Sequence, residues 1–449
     1  MAASSTRREA FGSRAGFILA AAGSAVGLGN MWRFPYQASE GGGAAFVLLY
    51  IGLTLVLGIP LMLAEFGVGR RAQLAPIGAL RSLAGRAWVP LGYVFVLAGL
   101  MILSYYSVIA GWTVRYGIEA AFTGFTAAPA DHFGQVASGA DAVAFHVAFM
   151  AITILIVVGG VRDGIERASL LLMPMLFVIV IGLALWAATL DGAGAGYVRY
   201  LKPDLDELAN PDVWRAAASQ AFFSLSLGMG GMLTFASYLT RDQNLPESAT
   251  VVAFTDFGVA FVAGLLVFPV IYSFALQDAV SASTVGALFI ALPSAFQAMG
   301  DLGRVVGVFF FFVLAVAALT SAISLLEVVT ATAMDEFGMS RRRAAMSIGA
   351  AITVIGIAPA MDIDALGLMD KIAGEFLLLL GGCALALLAG WKLRSEVRDE
   401  LLAGASPYWQ RQVPRILGVL RWVVPPIVAI VLAVSLRETA AAVVAFFSG

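Results

Sequence analysis

The sequence predicts an all-α membrane protein of about eleven transmembrane helices, arranged as two inverted five-helix repeats with helices 1 and 6 broken, plus one extra helix. Three observations lead there. Of 449 residues, 60% are hydrophobic and only 12% charged, and mean hydropathy is +0.91, whereas soluble domains carry ~25% charged residues. So few charges cannot cover a water-exposed surface, and lipid must be the solvent for most of the chain. Apolar runs of ~20 residues, the length that crosses a hydrocarbon layer, recur along the chain. Two of them, the first and the sixth, are interrupted by clustered glycines and polar residues, at Gly23–Asn30 and Ser224–Gly231.

Residues 1–14 form a cytoplasmic tail carrying Arg7, Arg8 and Arg14. The tail superficially matches the head of a signal peptide. The glycine-broken stretch after it and the many later runs favour a retained first span. Runs near 15–37, 43–69, 89–122, 143–160 and 166–190 make the first repeat, 15–190. Residues 191–212 are an extracellular loop. Runs near 213–240, 248–277, 302–336, 343–359 and 369–391 make the second repeat, 213–391. Residues 392–413 are a cytoplasmic loop, and 414–449 hold the eleventh helix, near 414–446, and an extracellular C-terminus. Val285–Met299 is amphipathic and reads as an external re-entrant or surface helix.

Loop charge orients the chain. Arg70, Arg71, Arg81, Arg86, Arg162, Arg167, Arg241, Arg341, Arg342, Arg343, Lys392, Arg394, Arg398, Arg411 and Arg415 fall on the side of the N-terminal arginines. The alternate loops are acidic or nearly uncharged, as at Asp131, Asp141, Asp278, Asp362 and Asp364. The positive-inside rule places the N-terminus in the cytoplasm and, with an odd number of spans, the C-terminus outside.

Several function classes drop out. A net charge of −2 gives no basis for a nucleic-acid partner. Cys383 is the single cysteine, so the chain has no disulfide framework or cysteine metal site, and His132 and His146 form no His-rich motif. GxxxxGK[ST], HExxH and GxSxG are all absent, which argues against ATP-driven transport and against an enzyme.

Glycine inside a helix costs ~1 kcal/mol relative to alanine. Clustered beside Asn and Ser, the glycines of the two interrupted runs suggest unwinding, which a membrane tolerates only where protein or a cavity satisfies the backbone. A small-xxx-small packing seam, Gly23-xxx-Gly27, is the alternative for either stretch alone. Their placement five spans apart is what inverted repeats predict. Broken helices expose carbonyls, hard ligands for an alkali cation, and half-helix N-termini that attract a carboxylate. Asn30, Ser224 and Ser226 add side-chain oxygens at the same places.

GSAVGLGNMWRFPYQASEGGGAAF followed by GIPLMLAEFGVGR resembles the neurotransmitter:sodium symporter family, close to its bacterial amino-acid transporter branch. QAFFSLSLGMGGMLTFASY and ALTSAISLLEVV extend the match, which runs in order from about Arg8 to Met369–Gly374. The resemblance implies a sodium-coupled symporter in a bacterial inner (plasma) membrane. It would import a neutral, hydrophobic L-amino acid by alternating access, spans 1, 2, 6 and 7 rocking against spans 3, 4, 8 and 9. It implies two Na+ ions. One would be held by carbonyls of Gly23, Val26 and Ala317 with the hydroxyls of Thr320 and Ser321. The other would be held by the Ala25 carbonyl, Asn30, Ser224, Asp256 and the substrate carboxylate.

The same resemblance lets that carboxylate meet the Gly29 N–H and the Tyr106 hydroxyl, and the ammonium meet carbonyls of Ala25, Phe223 and Ser224 with the Ser226 hydroxyl. Ser24, Ile102, Phe223, Met229, Ser321 and Leu325 would line the side-chain pocket. Monoamine carriers of the family have an aspartate at the position of Gly27, so glycine implies a substrate that brings its own carboxylate. Arg33 and Asp370 would form an outer gate with Tyr106 and Phe223, and Arg8 and Asp335 an inner one beside Phe11 and Tyr238.

Chloride-dependent relatives bind the anion with Tyr, Gln, Ser/Thr and Ser. Tyr50, Gln220 and Ser224 match, but the last position is Ala260, and Asp256 stands where many relatives have asparagine. The resemblance thus implies chloride independence, with Asp256 supplying the missing negative charge.

Plainer roles exist for several of these residues. Thr320 and Ser321 would otherwise back-bond to helix carbonyls, Met229 would pack, Tyr106 would join an interfacial aromatic belt, and Arg8 and Arg33 would snorkel. Glu65 and Glu327 lie in apolar runs and need partners that the sequence does not name. A proton-coupled carrier of the same fold, exchanging a proton at Asp256, is one alternative, and a non-transporting amino-acid sensor or channel is another. Oligomeric state is not legible.

Overall fold

The computed structural model describes residues 9–277 and 287–448. Among these, nine helices are long and apolar enough to cross a membrane: Ala44–Ala72, Arg86–Phe122, Ala140–Val158, Val161–Ala187, Leu245–Ser273, Asp301–Phe337, Arg341–Met361, Ile363–Lys392 and Pro407–Ser448. They coincide with nine of the apolar runs. Helices are the expected answer, because in hydrocarbon every backbone N–H and C=O must find its partner within the protein.

The first run forms two apolar pieces, Arg14–Ala25 and Gly29–Glu40, bent by 49°, which make a tenth span if taken together. Ser13 starts the first piece, its hydroxyl accepting from Gly16 N–H at 2.9 Å. Val26, extended at φ −72° and ψ 97°, ends it. Where the sixth span is predicted, helices Pro211–Ser224 and Gly231–Ala236 flank a turn. There Ser226 (φ 54°), Gly228 (φ 79°) and Gly230 (φ 72°) are left-handed, which a right-handed helix cannot absorb. The expected breaks therefore occur in the expected places.

Val89–Phe122 and Asp301–Phe337 pack along each other as a long central pair. Helix Arg14–Ala25 lies against Asp301–Phe337, Leu245–Ser273 and Arg167–Ala187. It comes so close at Gly23 that an added Cβ would sit 3.0 Å from Thr320 Cβ.

Two predicted loops are partly helical. Residues 191–212 contain helix Ala193–Leu201, which packs on Leu245–Ser273 and whose buried Tyr200 hydroxyl donates to Phe261 O at 3.1 Å. Residues 392–413 contain helix Arg394–Leu402, and the next helix begins at Pro407, before the expected 414. The charges that marked this segment as a loop are partly internal. Glu400 is fully buried, 2.9 Å from Arg70 and 2.5 Å from Arg241.

The segment Val285–Met299 is helical where it is described. Its first two residues lie outside the described residues, as does Asp278, but Leu288–Ala298 is a short apolar helix packed inward. Phe289 is buried and stacks on Phe133 at 5.7 Å.

Candidate functional site

The two breaks meet at one small cavity. Ser24, Ala25, Gly27 and Gly29 line it from the first break, and Phe223, Ser224, Ser226 and Met229 from the second. Ile102 and Tyr106 face it from helix Val89–Phe122, and Ser321 and Leu325 from helix Asp301–Phe337. All twelve residues assigned to the substrate thus share one wall. Leu378, from span Ile363–Lys392, completes the lining and was not anticipated. Nothing distinguishes this leucine in sequence from its apolar neighbours.

The polar groups released by unwinding are cross-linked between the breaks. Ser226 Oγ donates to Ser24 O at 2.7 Å, and Ser24 Oγ donates to Ser324 Oγ at 2.7 Å. Ser321 Oγ lies 3.3 Å from both Gly23 O and Ser24 O. Tyr106 accepts from Leu28 N–H at 3.0 Å, which leaves its hydroxyl hydrogen to be donated. Gly27 has no room to spare, since a Cβ there would lie 2.5 Å from Ser321 Oγ and 2.8 Å from the Tyr106 oxygen.

Glu65 finds the partners the sequence could not name. Its two carboxylate oxygens accept from Gly228 N–H at 2.8 Å and Leu233 N–H at 3.1 Å, capping the amides freed by the second break. Unsatisfied amides at this depth would be costly.

Asn30, Ser224 and Asp256, assigned to one ion, form a fully enclosed cluster. Asn30 Nδ2 donates to Asp256 Oδ1 at 2.7 Å and to Asp256 O at 3.0 Å, while Asn30 Oδ1 accepts from Gly27 N–H at 3.0 Å. Ser224 Oγ lies 2.9 and 2.8 Å from the two Asp256 oxygens, and Tyr50 OH donates to Asp256 Oδ2 at 2.9 Å. Gln220 Nε2 donates to Gly29 O at 3.0 Å. Three of the residues that match the anion-binding pattern therefore surround this spot, and the Asp256 carboxylate touches two of them. In this arrangement Asn30 turns its amino group toward Asp256, so coordination by its oxygen requires the amide to turn over.

The residues assigned to the other ion also converge. Thr320 sits against Gly23, and Ser321 reaches the Gly23 carbonyl. Thr320 Oγ1 back-bonds to Ala317 O at 3.0 Å and lies 3.3 Å from Val316 O, so the plainer role is realised here. Val26, extended at the break, no longer continues the helix, and Ala317 faces the same region one turn before Thr320.

The gates differ from expectation. Arg33 pairs with Glu375 at 3.4 Å, not with Asp370, which instead accepts from Tyr105 OH at 2.7 Å. The Arg33 guanidinium lies 4.8 Å over the ring of Phe223 and so covers the cavity on that side. Glu375 lies about one turn beyond Asp370 in the π-helical segment Asp370–Leu377, so the two carboxylates share a side and sequence spacing cannot choose between them.

On the opposite side, Arg8 lies outside the described residues, and Asp335 Oδ2 accepts from Ala75 N–H at 2.7 Å. Phe11 and Tyr238 do meet, ring centroids 6.4 Å apart. Beside them Arg341 holds Glu327 through two contacts of 2.7 and 2.9 Å and Glu9 at 2.7 Å, while Tyr238 OH donates to Glu327. Arg341 read only as an orienting loop charge, so its part in this closure was missed.

A bundle of membrane-length helices with two helix breaks around a small central cavity defines a polytopic membrane protein with an enclosed site between its broken helices. The family model for the sodium:neurotransmitter symporter family matches residues 8–131 and 127–396. The chain belongs to that family. An uncharacterised sodium-dependent transporter of Bacillus subtilis is 38% identical, over 77% of each chain. A sodium-dependent neutral amino acid transporter of Mus musculus is 31% identical over 59% of this chain and 41% of its own length. The crystal structure of MhsT in complex with L-phenylalanine is 40% identical, with TM-score 0.86, covering 95% of this chain and 100% of that one.

Proposed function

We propose that this protein imports a neutral, hydrophobic L-amino acid together with sodium, by alternating access and without chloride. The observation that carries the proposal is the cavity between the two breaks. Its lining combines unwound backbone, Tyr106 and the bare Gly27, which suit a substrate bringing its own carboxylate, with the apolar side chains of Ile102, Met229, Leu325 and Leu378. The bound L-phenylalanine of the MhsT structure and the neutral amino acid named for the mouse relative support this substrate class.

Two sodium ions enter this scheme as cargo. Gly23, Val26, Ala317, Thr320 and Ser321 offer one oxygen shell, and Ala25, Asn30, Ser224 and Asp256 the other. All-oxygen donors suit a hard cation. If the substrate carboxylate completes the second shell, each ligand raises the affinity of the other reciprocally. Counting helices Pro211–Ser224 and Gly231–Ala236 as one crossing gives eleven spans, with the N-terminus cytoplasmic and the C-terminus outside by loop charge.

Uptake of labelled L-phenylalanine into proteoliposomes tests the reading. An inward sodium gradient should drive accumulation, and uptake indifferent to sodium would refute the coupling. Asn30→Ala and Thr320→Ala should each raise the sodium concentration for half-maximal uptake about tenfold, the factor given by ~1.4 kcal/mol of lost ligand energy. A pure packing role would lower stability and leave that concentration unchanged.

The Asp256 carboxylate, in contact with Tyr50 and Ser224, favours chloride independence. Replacing chloride by gluconate should leave wild-type uptake unchanged, and a collapse would overturn this part of the proposal. The full burial of Asp256 also keeps the proton-coupled alternative in view. Accumulation driven by a proton gradient in sodium-free buffer would establish it.

A further inference from the structure

A second site is built where the last two helices meet the side rich in arginine. Helix Pro407–Trp422 buries Val413, Leu417 and Leu420 along one face and exposes Arg411 and Arg415 on another, then passes at Val423 into Val424–Ser448. It touches the end of span Ile363–Lys392 at Gly390, where an added Cβ would lie 3.0 Å from Arg421 Cα. This close approach places the Arg421 guanidinium 5.5 Å from the ring of Trp391 and 4.8 Å from that of Trp422. The two indoles stand edge-on, 5.6 Å apart, and are 41% and 65% exposed. Nearby, Lys392 Nζ donates to Ala84 O at 2.6 Å, fixing this end of the span beside the end of helix Pro76–Ala84, which carries Arg81.

The guanidinium is held but not neutralised. Its Nε is enclosed without a hydrogen-bond partner. No carboxylate of the described residues lies within ion-pair distance of it. Its terminal nitrogens make no hydrogen bond to a described residue. Tryptophans exposed at a span end favour the headgroup level of a bilayer. An arginine there that lacks a carboxylate takes its counter-charge from the membrane, and a phosphate accepts its two parallel N–H groups well.

We propose that Arg421, Trp391 and Trp422 form a binding site for the phosphate of an anionic phospholipid. Simple snorkelling would extend the side chain into the headgroups. Here it is folded over two rings with one nitrogen shut in, which makes a shaped receptor. The headgroup is anionic because the site offers nothing to an ammonium. Both indoles already carry the guanidinium, and the exposed charges of helix Pro407–Trp422, Arg411 and Arg415, are basic.

Native mass spectrometry of the full protein from mixed micelles of dioleoylphosphatidylglycerol and dioleoylphosphatidylcholine tests this. The wild type should retain the phosphatidylglycerol in preference. Arg421→Gln should weaken its apparent affinity about fivefold, the effect of one basic residue at an anionic surface, while Arg411→Gln leaves it unchanged. Quenching of tryptophan fluorescence by brominated phosphatidylglycerol gives a second readout. Trp391→Phe with Trp422→Phe should reduce it even if Arg421→Gln fails to fold. Equal retention of the two lipids, undiminished affinity in Arg421→Gln, or displacement of the lipid by excess inorganic phosphate would overturn the proposal.

Discussion

Gly27→Ala should cut amino-acid uptake by about ten- to a hundredfold while the protein still folds. The added carbon would lie 2.5 Å from Ser321 Oγ and 2.8 Å from the Tyr106 oxygen, both inside van der Waals contact. Forcing a methyl group into a packed site costs about 1–3 kcal/mol, and each 1.36 kcal/mol in a rate barrier is tenfold. The methyl would also occupy the space proposed for the substrate carboxylate, so the loss should fall on transport more than on stability. Gly27→Asp should be more severe for amino acids, because it sets a fixed negative charge where the substrate brings its own. The check is labelled L-phenylalanine uptake normalised to monodisperse protein. Wild-type rates in Gly27→Ala would show that the carboxylate binds elsewhere.

Glu65→Ala should produce the largest loss of stability among single changes at the second break. It removes both acceptors of Gly228 N–H and Leu233 N–H in a fully buried place. Leaving a buried donor unpaired costs about 1–3 kcal/mol, so two amides cost about 2–6 kcal/mol on the same scale. Glu65→Gln keeps one acceptor oxygen and turns a donor toward the other amide, so its effect should be intermediate. Thermal unfolding in detergent would rank the three proteins. A midpoint in Glu65→Ala equal to that of the wild type would mean that water or a rearranged backbone satisfies the break.

Some of this was legible because it is local. A bilayer sets a minimum apolar length, so nine spans could be placed from hydropathy alone, with ends a few residues off. Glycine clusters marked both breaks, since left-handed or extended backbone in a helix tends to need them, and Gly228 and Gly230 do carry positive φ. Partners were less legible. Glu65 and Glu327 stand out as carboxylates in apolar runs, yet the partners of Glu65 are backbone amides far away in sequence, and Glu327 takes Arg341 only because the next helix folds back beside it. The family resemblance pairs Arg33 with Asp370. Packing turned Arg33 instead to Glu375. Glu400 lies in the segment read as a cytoplasmic loop, yet its burial against Arg70 and Arg241 makes it a tie between a connecting helix and the bundle.

The sequence by itself determined the solvent of this protein, the length and number class of its helices, the two places where they break and, through its motifs, its family. Those properties follow from composition and short-range backbone preference. Only the tertiary structure decided that the breaks share one cavity, that Leu378 closes it, that Asp256 meets Tyr50 and Ser224, and which carboxylate each buried arginine takes. Such choices depend on the close approach of helices distant in the chain, at Gly23, Gly27 and Gly390. There a single missing side chain sets the distance, and no local pattern records it.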